Sequence, residues 1–332
     1  MAVIPIRANM KFSYYLSLLS LAFFCQCQES SAEASPVGSQ TSTEKSDTKV
    51  VEDASRQALP KDAQPTQYAG YRLVWNDEFN TDGRPSEAWT YEQGFVRNEE
   101  LQWYQPDNAS VSDGRLVIEG RRQTVANPNY NPQSTDWHYS RPEARFTSSC
   151  LTTQQRFRFR YGRMEVRARI PVTRGSWPAI WTLGNQGEWP QNGEIDLMEF
   201  YIKNGVPSIL ANACWGSDKR YTAVWDESVT PFTHFTAKDS EWASKYHVWR
   251  MDWDEHFIRL YLDDELLNEV DLSKTHNQGV DGDYGNPFSN TREGFGHYIL
   301  LNLAIGSNGG EPDLAHFPLR YEVDYVRVYQ AQ

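Results

Sequence analysis

The sequence predicts an all-β fold, a sandwich or jelly roll, on three observations. From Tyr68 onward, short alternating apolar and polar runs are bounded by Gly, Pro, Asn and Asp, as is typical of strands joined by turns. No long 3.6-residue periodicity appears, and we find no internal repeat. About 260 residues of strands and turns fit one sandwich better than two domains.

Eight runs show the strand pattern most clearly. Apolar and charged residues alternate in RMEVRARI (163–170), so one face of this strand is expected in the core. In FIRLYLDDE, Phe257 and Tyr261 share one face, whereas Ile258 and Leu262 share the other. The predicted strands are Tyr71–Trp75, Arg115–Glu119, Arg163–Ile170, Ile195–Tyr201, His247–Asp252, Phe257–Leu262, Tyr298–Ala304 and Tyr321–Tyr329.

Composition excludes several classes of protein. The 332 residues carry 32 basic and 44 acidic side chains, and a chain with a net charge of −12 and no basic stripe is a poor nucleic-acid binder. The longest apolar run, YYLSLLSLAFFC, is too short for a membrane-spanning helix. All twelve Trp lie between Trp75 and Trp253, a distribution typical of a carbohydrate-binding surface or of a large β-core.

The four cysteines indicate neither a disulfide scaffold nor a structural zinc protein. Cys25 and Cys27 lie in the N-terminal leader, so only Cys150 and Cys214 remain for the fold. We expect these two to be buried free thiols.

Residues 1–27 are typical of a signal peptide. Met10 and Lys11 form a short basic start, and residues 12–24 form the apolar stretch that follows it; Met10 is a second candidate for the initiating residue. An exported protein is therefore expected.

Residues 28–67 are predicted to be a disordered linker, because this stretch is rich in Ser, Thr, Ala, Glu, Lys and Gln. Signal cleavage near Ala32–Ala34 releases the protein, whereas lipidation of Cys25 or Cys27 tethers it to a membrane. The sequence thus predicts a secreted, periplasmic or cell-surface lipoprotein form.

The most informative segment is WPQNGEIDLMEFY (189–201), which places three carboxylates within six residues. In a regular strand Glu194 and Asp196 point to one face, whereas Glu199, five positions after Glu194, points to the other. One extra residue at Leu197–Met198, a β-bulge, returns Glu199 to the first face. All three acids then line one groove.

This spacing suits the cleavage of glycosidic bonds. With the bulge, Glu194 and Glu199 lie about four pleat steps apart, roughly 13 Å between Cα atoms, and their side chains can lean together until the carboxyls are about 5–6 Å apart. Retaining glycosidases hold a nucleophile and a general acid/base about 5–5.5 Å apart. Asp196, between them, can hydrogen-bond one glutamate and help to keep the acid protonated.

Two other interpretations of the acidic run are open at this point, namely a solvated strand face and a calcium site. Trp177, Trp181 and Trp189 lie just upstream and favour a sugar-binding groove, because aromatic rings stack on sugar faces. Each of these tryptophans taken alone is also compatible with a place in the core.

The segment GEIDLMEFY resembles the motif Glu-x-Asp-x-x-Glu of glycoside hydrolase family 16, in its bulged, laminarinase-like branch. YRLVWNDEFN is similar to the family's opening strand, RNEELQWY to its Asn-Asn-Glu-Leu-Gln-Tyr-Tyr segment, and YEVDYVRVYQ to its closing strand. YGRMEVRARIP, GSWPAIWTLG and YILLNLAIGSNGG are similarly close. The resemblance implies a catalytic domain over residues 68–330, a jelly roll of two curved antiparallel sheets whose concave groove binds a polysaccharide.

The resemblance also implies roles for individual residues. Glu194 corresponds to the nucleophile, Asp196 to its helper and Glu199 to the general acid/base, with no cofactor needed for catalysis. Asp324 matches a carboxylate that binds a structural calcium ion in many members. The expected substrate-binding residues are Asn98, on the non-reducing side, and Arg163, Trp177, Trp181, Trp189 and Trp215.

Two departures from the family pattern bear on the substrate. Residues 212–216 (NACWG) lack the His of a His-Trp pair that is common in the family, and Ser217–Lys245 is longer than in a minimal laminarinase. Insertions at groove edges decide substrate in such folds. We expect β-1,3- or mixed-linkage β-glucan, with agar-type galactans and lactosamine-type glycans as alternatives.

Three functions compete at the level of sequence. The first is a secreted, retaining endo-β-glycanase, the second a non-catalytic glycan-binding module, and the third a transglycosylase that passes the same intermediate to a sugar. Binding modules on this fold lose one or both catalytic glutamates, so the presence of Glu194 and Glu199 favours an enzyme. We expect a monomer whose partner is a glycan.

Overall fold

The computed structural model describes residues 57–60, 63–279 and 285–332. The predicted signal peptide and most of the predicted linker lie outside these ranges. Within them, no helix combines the length and the apolar character needed to cross a membrane.

The described residues form mainly strands joined by turns. Short α-helices cover Trp137–Ser140 (α1) and Thr233–Thr236 (α2). The strands are β1 (Tyr71–Asp77), β2 (Thr90–Tyr91), β3 (Gln102–Tyr104), β4 (Ala109–Ser112), β5 (Arg115–Gly120), β6 (Val125–Ala126), β7 (Glu143–Ala144), β8 (Phe146–Ser148), β9 (Cys150–Thr152), β10 (Gly162–Arg169), β11 (Ser176–Gly184), β12 (Glu194–Lys203), β13 (Val206–Gly216), β14 (Ala223–Pro231), β15 (His247–Trp253), β16 (Phe257–Leu262), β17 (Glu265–Asp271), β18 (His297–Ile305) and β19 (Leu319–Ala331).

Two large antiparallel sheets make up the fold, as predicted. The supporting sheet has the strand order β17-β16-β15-β10-β19-β5-β4, with β1 also paired to β19. The groove sheet has the order β14-β13-β12-β11-β18-β9-β2, so β12, which carries the three acids, lies near its middle. Every one of the eight predicted strands is present, with boundaries that differ by at most a few residues.

One hydrophobic core fills the space between the two sheets. Met164 and Val166 of the supporting sheet and Ile180 and Ile195 of the groove sheet belong to the same buried cluster. Because successive side chains of a strand point to opposite faces, this shared core leaves the alternate residues of β11 and β12 facing away from it. Cys150 and Cys214 are buried free thiols, as expected.

Arg163 lies on the supporting sheet and does not line the groove, so its predicted contact with substrate is wrong. Its neighbour Met164 points into the core, which turns Arg163 to the opposite face. There its Nε and Nη2 donate to the two carboxylate oxygens of Asp252 at 2.6 and 2.9 Å. The guanidinium also lies 4.6 Å from the ring centroid of Tyr68.

Asp324 is also on the supporting sheet, and its surroundings do not fit a calcium ion. One carboxylate oxygen accepts the backbone N–H of Leu59 at 2.9 Å, and the other accepts an N–H of Arg167. Arg167 also donates to the carbonyl oxygen of Gln57 at 3.0 Å. A calcium ion takes six to eight oxygen ligands, whereas here a guanidinium supplies the positive charge beside Asp324. The end of the predicted linker is thereby bonded to the sheet.

Replacing Asp324 with Ala is expected to lower the free energy of unfolding by about 3–5 kcal/mol, because it removes the carboxylate from a buried ion pair. Arg167 and Asp324 are 8% and 3% exposed. The double variant Arg167→Met/Asp324→Leu is the matched control and should recover most of the loss. We expect a chelator to leave the thermal midpoint of the wild type unchanged; a clear decrease would show that a bound metal ion stabilises the fold.

Candidate active site

A β-bulge in β12 brings the three carboxylates to one face, as the spacing predicts. Asp196 pairs with Trp181 of β11, while Met198 pairs with the adjacent Ile180, so Leu197 is the inserted residue. The β13 register also shifts between Asp196 and Glu199. Leu197 and Met198 are both buried in the core, which holds the bulge in place.

The acids lie in a groove of about 600 Å³ on the outer face of this sheet. The groove is lined from both sides of β12, by strands β11 and β18 together with the segment before β3, and by β13 and β14. Predicted residues that line it are Glu194, Asp196, Glu199, Asn98, Trp177, Trp181 and Trp189.

Glu194 is held by an indole N–H. Trp189 is 40% exposed, and its Nε1 donates to Glu194 Oε2 at 2.9 Å. Burial raises the pKa of Glu194 to about 7, although the Trp189 N–H, the positive charge of Arg97 and the neighbouring Asp196 carboxyl lower it. These three groups favour the ionised form of Glu194, as a nucleophile requires.

Glu199 is held by two donors. Trp177 Nε1 donates to Oε1 at 2.9 Å, and Asn212 Nδ2 donates to Oε2 at 3.3 Å. Burial and the negative charge of Glu194 raise the pKa of Glu199 to about 7, although the Trp177 N–H, the positive charge of Lys203 and the Asn212 N–H lower it. Once Glu194 is ionised, Glu199 therefore tends to keep its proton, as a general acid requires.

Asp196 lies between the two glutamates and is 2% exposed. Burial and the charges of Glu194 and Glu199 raise its pKa well above the usual range of an aspartate. The interaction between the two carboxyls raises the pKa of Asp196 and lowers that of Glu194, which favours the proton on Asp196. In this arrangement Asp196 stabilises the nucleophile's charge.

Replacing Asp196 with Asn is expected to stabilise the fold by about 1–2 kcal/mol at neutral pH and to lower kcat. Since the pKa of Asp196 is raised on folding, the folded state binds more protons than the unfolded state, and the wild type loses stability as pH rises above the ordinary aspartate pKa. Asparagine does not titrate. The difference in thermal midpoint between the variant and the wild type should therefore grow with pH.

The exposed Asp107, with 73% of its side chain accessible, provides the control for this comparison. Asp107→Asn should leave both the thermal midpoint and its pH dependence nearly unchanged. A loss of stability in Asp196→Asn that is the same at every pH would contradict the buried, protonated state of Asp196.

Asn98 and Trp181 lie at the side of the groove toward β18. Asn98 has a positive φ of 56° and directs its Nδ2 toward Glu100 at 3.5 Å. Trp181 is only 7% exposed; its Nε1 donates to Asn302 at 2.7 Å, and the Arg97 guanidinium lies 5.1 Å from the ring centroid. Trp181 thus forms part of the groove floor and offers little open ring surface.

Trp215 does not line the groove, so its predicted stacking on sugar is wrong. Its neighbour Cys214 pairs with Glu194 and shares the groove face, and alternation along β13 turns Trp215 inward. There Trp215 is 7% exposed and packs in the core between the sheets.

Sequence reasoning missed Asn212 and Arg97 as site residues. Asn204-Gly205 is a strong signal for a two-residue hairpin turn, and pairing back from it sets Asn212 opposite Asp196 across the bulge. No comparable signal exists for Arg97, whose place depends on the loop before β3. An N–H of Arg97 donates to Glu92 there, beside the site.

Known proteins share this sequence pattern and fold. Residues 98–292 match the family model described as glycosyl hydrolases family 16. The chain is 31% identical to a beta-glucanase of Rhodothermus marinus, over 78% of this chain and 85% of that protein. It is 30% identical to glucan endo-1,3-beta-glucosidase A1 of Niallia circulans, over 80% of this chain but only 38% of that longer protein.

Solved structures agree with the sequence comparison. One, from work on endo-acting O-glycanases that members of the human gut microbiota express to initiate mucin breakdown, superposes with a TM-score of 0.70 at 32% identity, covering 81% of this chain and 94% of that one. A variant of SCLam, a non-specific endo-beta-1,3(4)-glucanase, presents a 1,3-beta-D-cellobiosyl-glucose at its active site. It matches with a TM-score of 0.60 at 31% identity, over 82% of this chain and all of that one. With its jelly roll and its bulged triad of acids, the chain belongs to glycoside hydrolase family 16.

Proposed function

We propose that the protein is an endo-acting, retaining β-glycanase that hydrolyses β-1,3- or mixed-linkage β-glucan by double displacement. The observation that carries this proposal is the arrangement on β12, where Glu194 and Glu199 share one face, each bonded to an indole N–H, with Asp196 between them. An open groove with acids at its centre suits attack within a polymer chain rather than at its end.

The reaction follows from the two protonation states. In the first step the Glu194 carboxylate attacks the anomeric carbon, the bond to the leaving oxygen breaks, and Glu199 gives its proton to that oxygen. In the second step the Glu199 carboxylate takes a proton from water while the water oxygen attacks the same carbon and releases Glu194. Two inversions retain the configuration at that carbon.

The choice of β-glucan is supported by the relatives of known name. The proteins from Rhodothermus marinus and Niallia circulans are both glucan-directed by name, and the SCLam variant holds a glucan oligosaccharide in its active site. The binding partner proposed for this chain is accordingly a polysaccharide.

A second candidate substrate is a galactose-containing glycan of the agar or lactosamine type. The structural similarity to the mucin-directed endo-acting O-glycanases, at a TM-score of 0.70, favours keeping this candidate. The same carboxylates serve either substrate, because the chemistry at the anomeric carbon is unchanged.

The test is product analysis of the purified protein on laminarin, barley β-glucan, agarose, carrageenan and poly-N-acetyllactosamine, with Glu194→Gln as the blank. Oligosaccharides from laminarin or barley glucan are the expected result. Release only from a galactan or lactosamine polymer would move the substrate to the second candidate. Binding without release would identify a glycan-binding module, and longer products in the presence of acceptor sugars would identify a transglycosylase.

We also propose that the protein is exported, as a secreted, periplasmic or lipid-tethered form, and acts as a monomer. Support comes from the basic and apolar segments of residues 1–27 alone. Cell fractionation combined with mass spectrometry of the N-terminal peptide distinguishes cleavage near Ala32 from lipidation at Cys25 or Cys27. An unprocessed cytoplasmic protein would contradict export.

A further inference from the structure

The groove extends beyond the catalytic strand to the edge strand β14. Across the three neighbouring strands, Glu194 pairs with Cys214, and Cys214 pairs with Trp225. Paired residues of antiparallel strands point to the same face, so Trp225 faces the groove. It lies in the same row as Glu194, where a row means the residues paired with one another across neighbouring strands. Two strand spacings, roughly 9–10 Å, separate the backbones of these two residues.

Trp225 presents an open ring to the groove. It is 45% exposed, close to the 40% of Trp189, whereas Trp177 and Trp181 in the same groove are each 7% exposed. Between Trp225 and Glu194 lies Cys214, a small and fully buried side chain. An exposed aromatic ring that lines a groove is available for stacking on the apolar face of a sugar.

A second row places polar groups beside this ring. Asp196 pairs with Asn212, and Asn212 pairs with Glu227, which therefore faces the groove next to Trp225. Glu227 forms an ion pair with Lys203 at the end of β12, and both side chains keep about a third of their surface exposed. The pair offers carboxylate acceptors and ammonium donors, the groups that bind sugar hydroxyls.

We propose that Trp225, together with the Lys203–Glu227 pair, forms a subsite for a hexopyranose unit of the substrate chain that is remote from the cleaved bond. The inference rests on the proposed function and adds a residue that decides which chain lengths are cleaved well. Trp225 belongs to Ser217–Lys245, the segment that is expected from the sequence to be longer than in a minimal laminarinase.

Binding at a remote subsite accelerates cleavage only for substrates long enough to reach it. Energy from contacts far from the reacting atoms is used to position the bond at the acids, so its loss lowers kcat/KM selectively. A purely structural role for Trp225 would instead lower kcat/KM by the same factor for every substrate length.

The experiment compares Trp225→Ala with the wild type on laminarioligosaccharides of three to six units, or on the equivalent series from the polymer that the enzyme cleaves. For the hexasaccharide, kcat/KM is expected to fall about tenfold, equivalent to about 1.4 kcal/mol. For the shortest oligosaccharide that is cleaved, the fall should stay below about twofold. Trp225→Phe, which keeps an aromatic face, should retain most of the activity.

Val229→Ala is the matched control. Val229 lies on the same strand, is 37% exposed and pairs with Leu210 in the row of Glu199, but it is outside the groove lining. Its kcat/KM should equal that of the wild type at every length. Thermal midpoints of all variants are measured alongside.

Three outcomes separate this inference from the function on which it rests. If Trp225→Ala cleaves every length as well as the wild type, or loses the same factor on all of them, the subsite is disproved and the proposed function stands. If the wild type cleaves no oligosaccharide or polymer, the proposed function fails, and the subsite fails with it. A length-selective loss, with the preferred bond of the hexasaccharide shifted in either direction, supports the subsite.

Discussion

Replacement of Glu194 with Gln is expected to lower kcat on the polymer by at least about 10⁴-fold. The amide is nearly isosteric with the carboxylate, but it cannot attack the anomeric carbon, so the covalent intermediate does not form. Polymer binding should persist, because the tryptophans that line the groove are unchanged. Rates of reducing-end release and affinity electrophoresis on the same polymer measure the two effects separately.

The role of Glu194 is tested further by chemical rescue of Glu194→Ala. The truncated side chain leaves room for azide, which attacks the anomeric carbon in a single step while Glu199 still protonates the leaving group. The product should be a glycosyl azide of inverted configuration. A retained product, or near-native turnover by Glu194→Gln, would show that another group is the nucleophile.

Replacement of Glu199 with Gln is expected to lower kcat/KM on the polymer by about 10²–10⁴-fold, because the leaving sugar oxygen then receives no proton. The loss should be much smaller for formation of the intermediate from a nitrophenyl glycoside, since nitrophenolate leaves without protonation. Comparing the two substrates therefore distinguishes an acid from a residue that only supports the structure. Equal losses on both would contradict the assignment.

The pH dependence of kcat/KM is an independent test of Glu199 as the general acid. Burial raises its pKa to about 7, and the protonated form is the active one, so kcat/KM of the wild type should fall as pH rises through that value. In Glu199→Gln the titrating group is absent, and the alkaline decrease should disappear with the nitrophenyl substrate. If that decrease persists unchanged in the variant, it arises from another group.

Much of the site follows from local spacing in the sequence. The bulge was predictable because Glu194, Asp196 and Glu199 can share a face only if one residue is inserted between the last two. Trp177 and Trp189 lie near them because their strand and turn directly precede β12, so short-range connectivity places them. Local arguments of this kind succeed wherever partners are adjacent along the chain.

Contacts between segments that are distant along the chain could not be predicted from the sequence. Asp252 lies 89 residues after Arg163, and Asp324 lies 157 residues after Arg167, so neither ion pair is visible in a strand pattern. The side of the sheet to which Trp215 points could not be predicted either, because β13 is buried on both sides over most of its length and shows no alternation. The edge strand β14 shows a clear alternation of exposed and less exposed residues. That alternation alone does not place Trp225 and Glu227 beside the acids, because their position depends on the pairing of β14 with β13 and of β13 with β12.

The bulge at Leu197 has a consequence for how this enzyme can change in length. After deletion of that one residue, Met198 would lie opposite Ile180 of β11 and Ala211 of β13, so β12 would pair regularly with both neighbouring strands. Its three acids would then occupy every second position of a regular strand and point to the same face. Deleting Ile195 instead would turn Glu194 toward the core. The middle of the catalytic strand thus contains a position at which loss of a single residue keeps the acids on one face, so a shortened descendant can retain the chemistry without new loops or new partners.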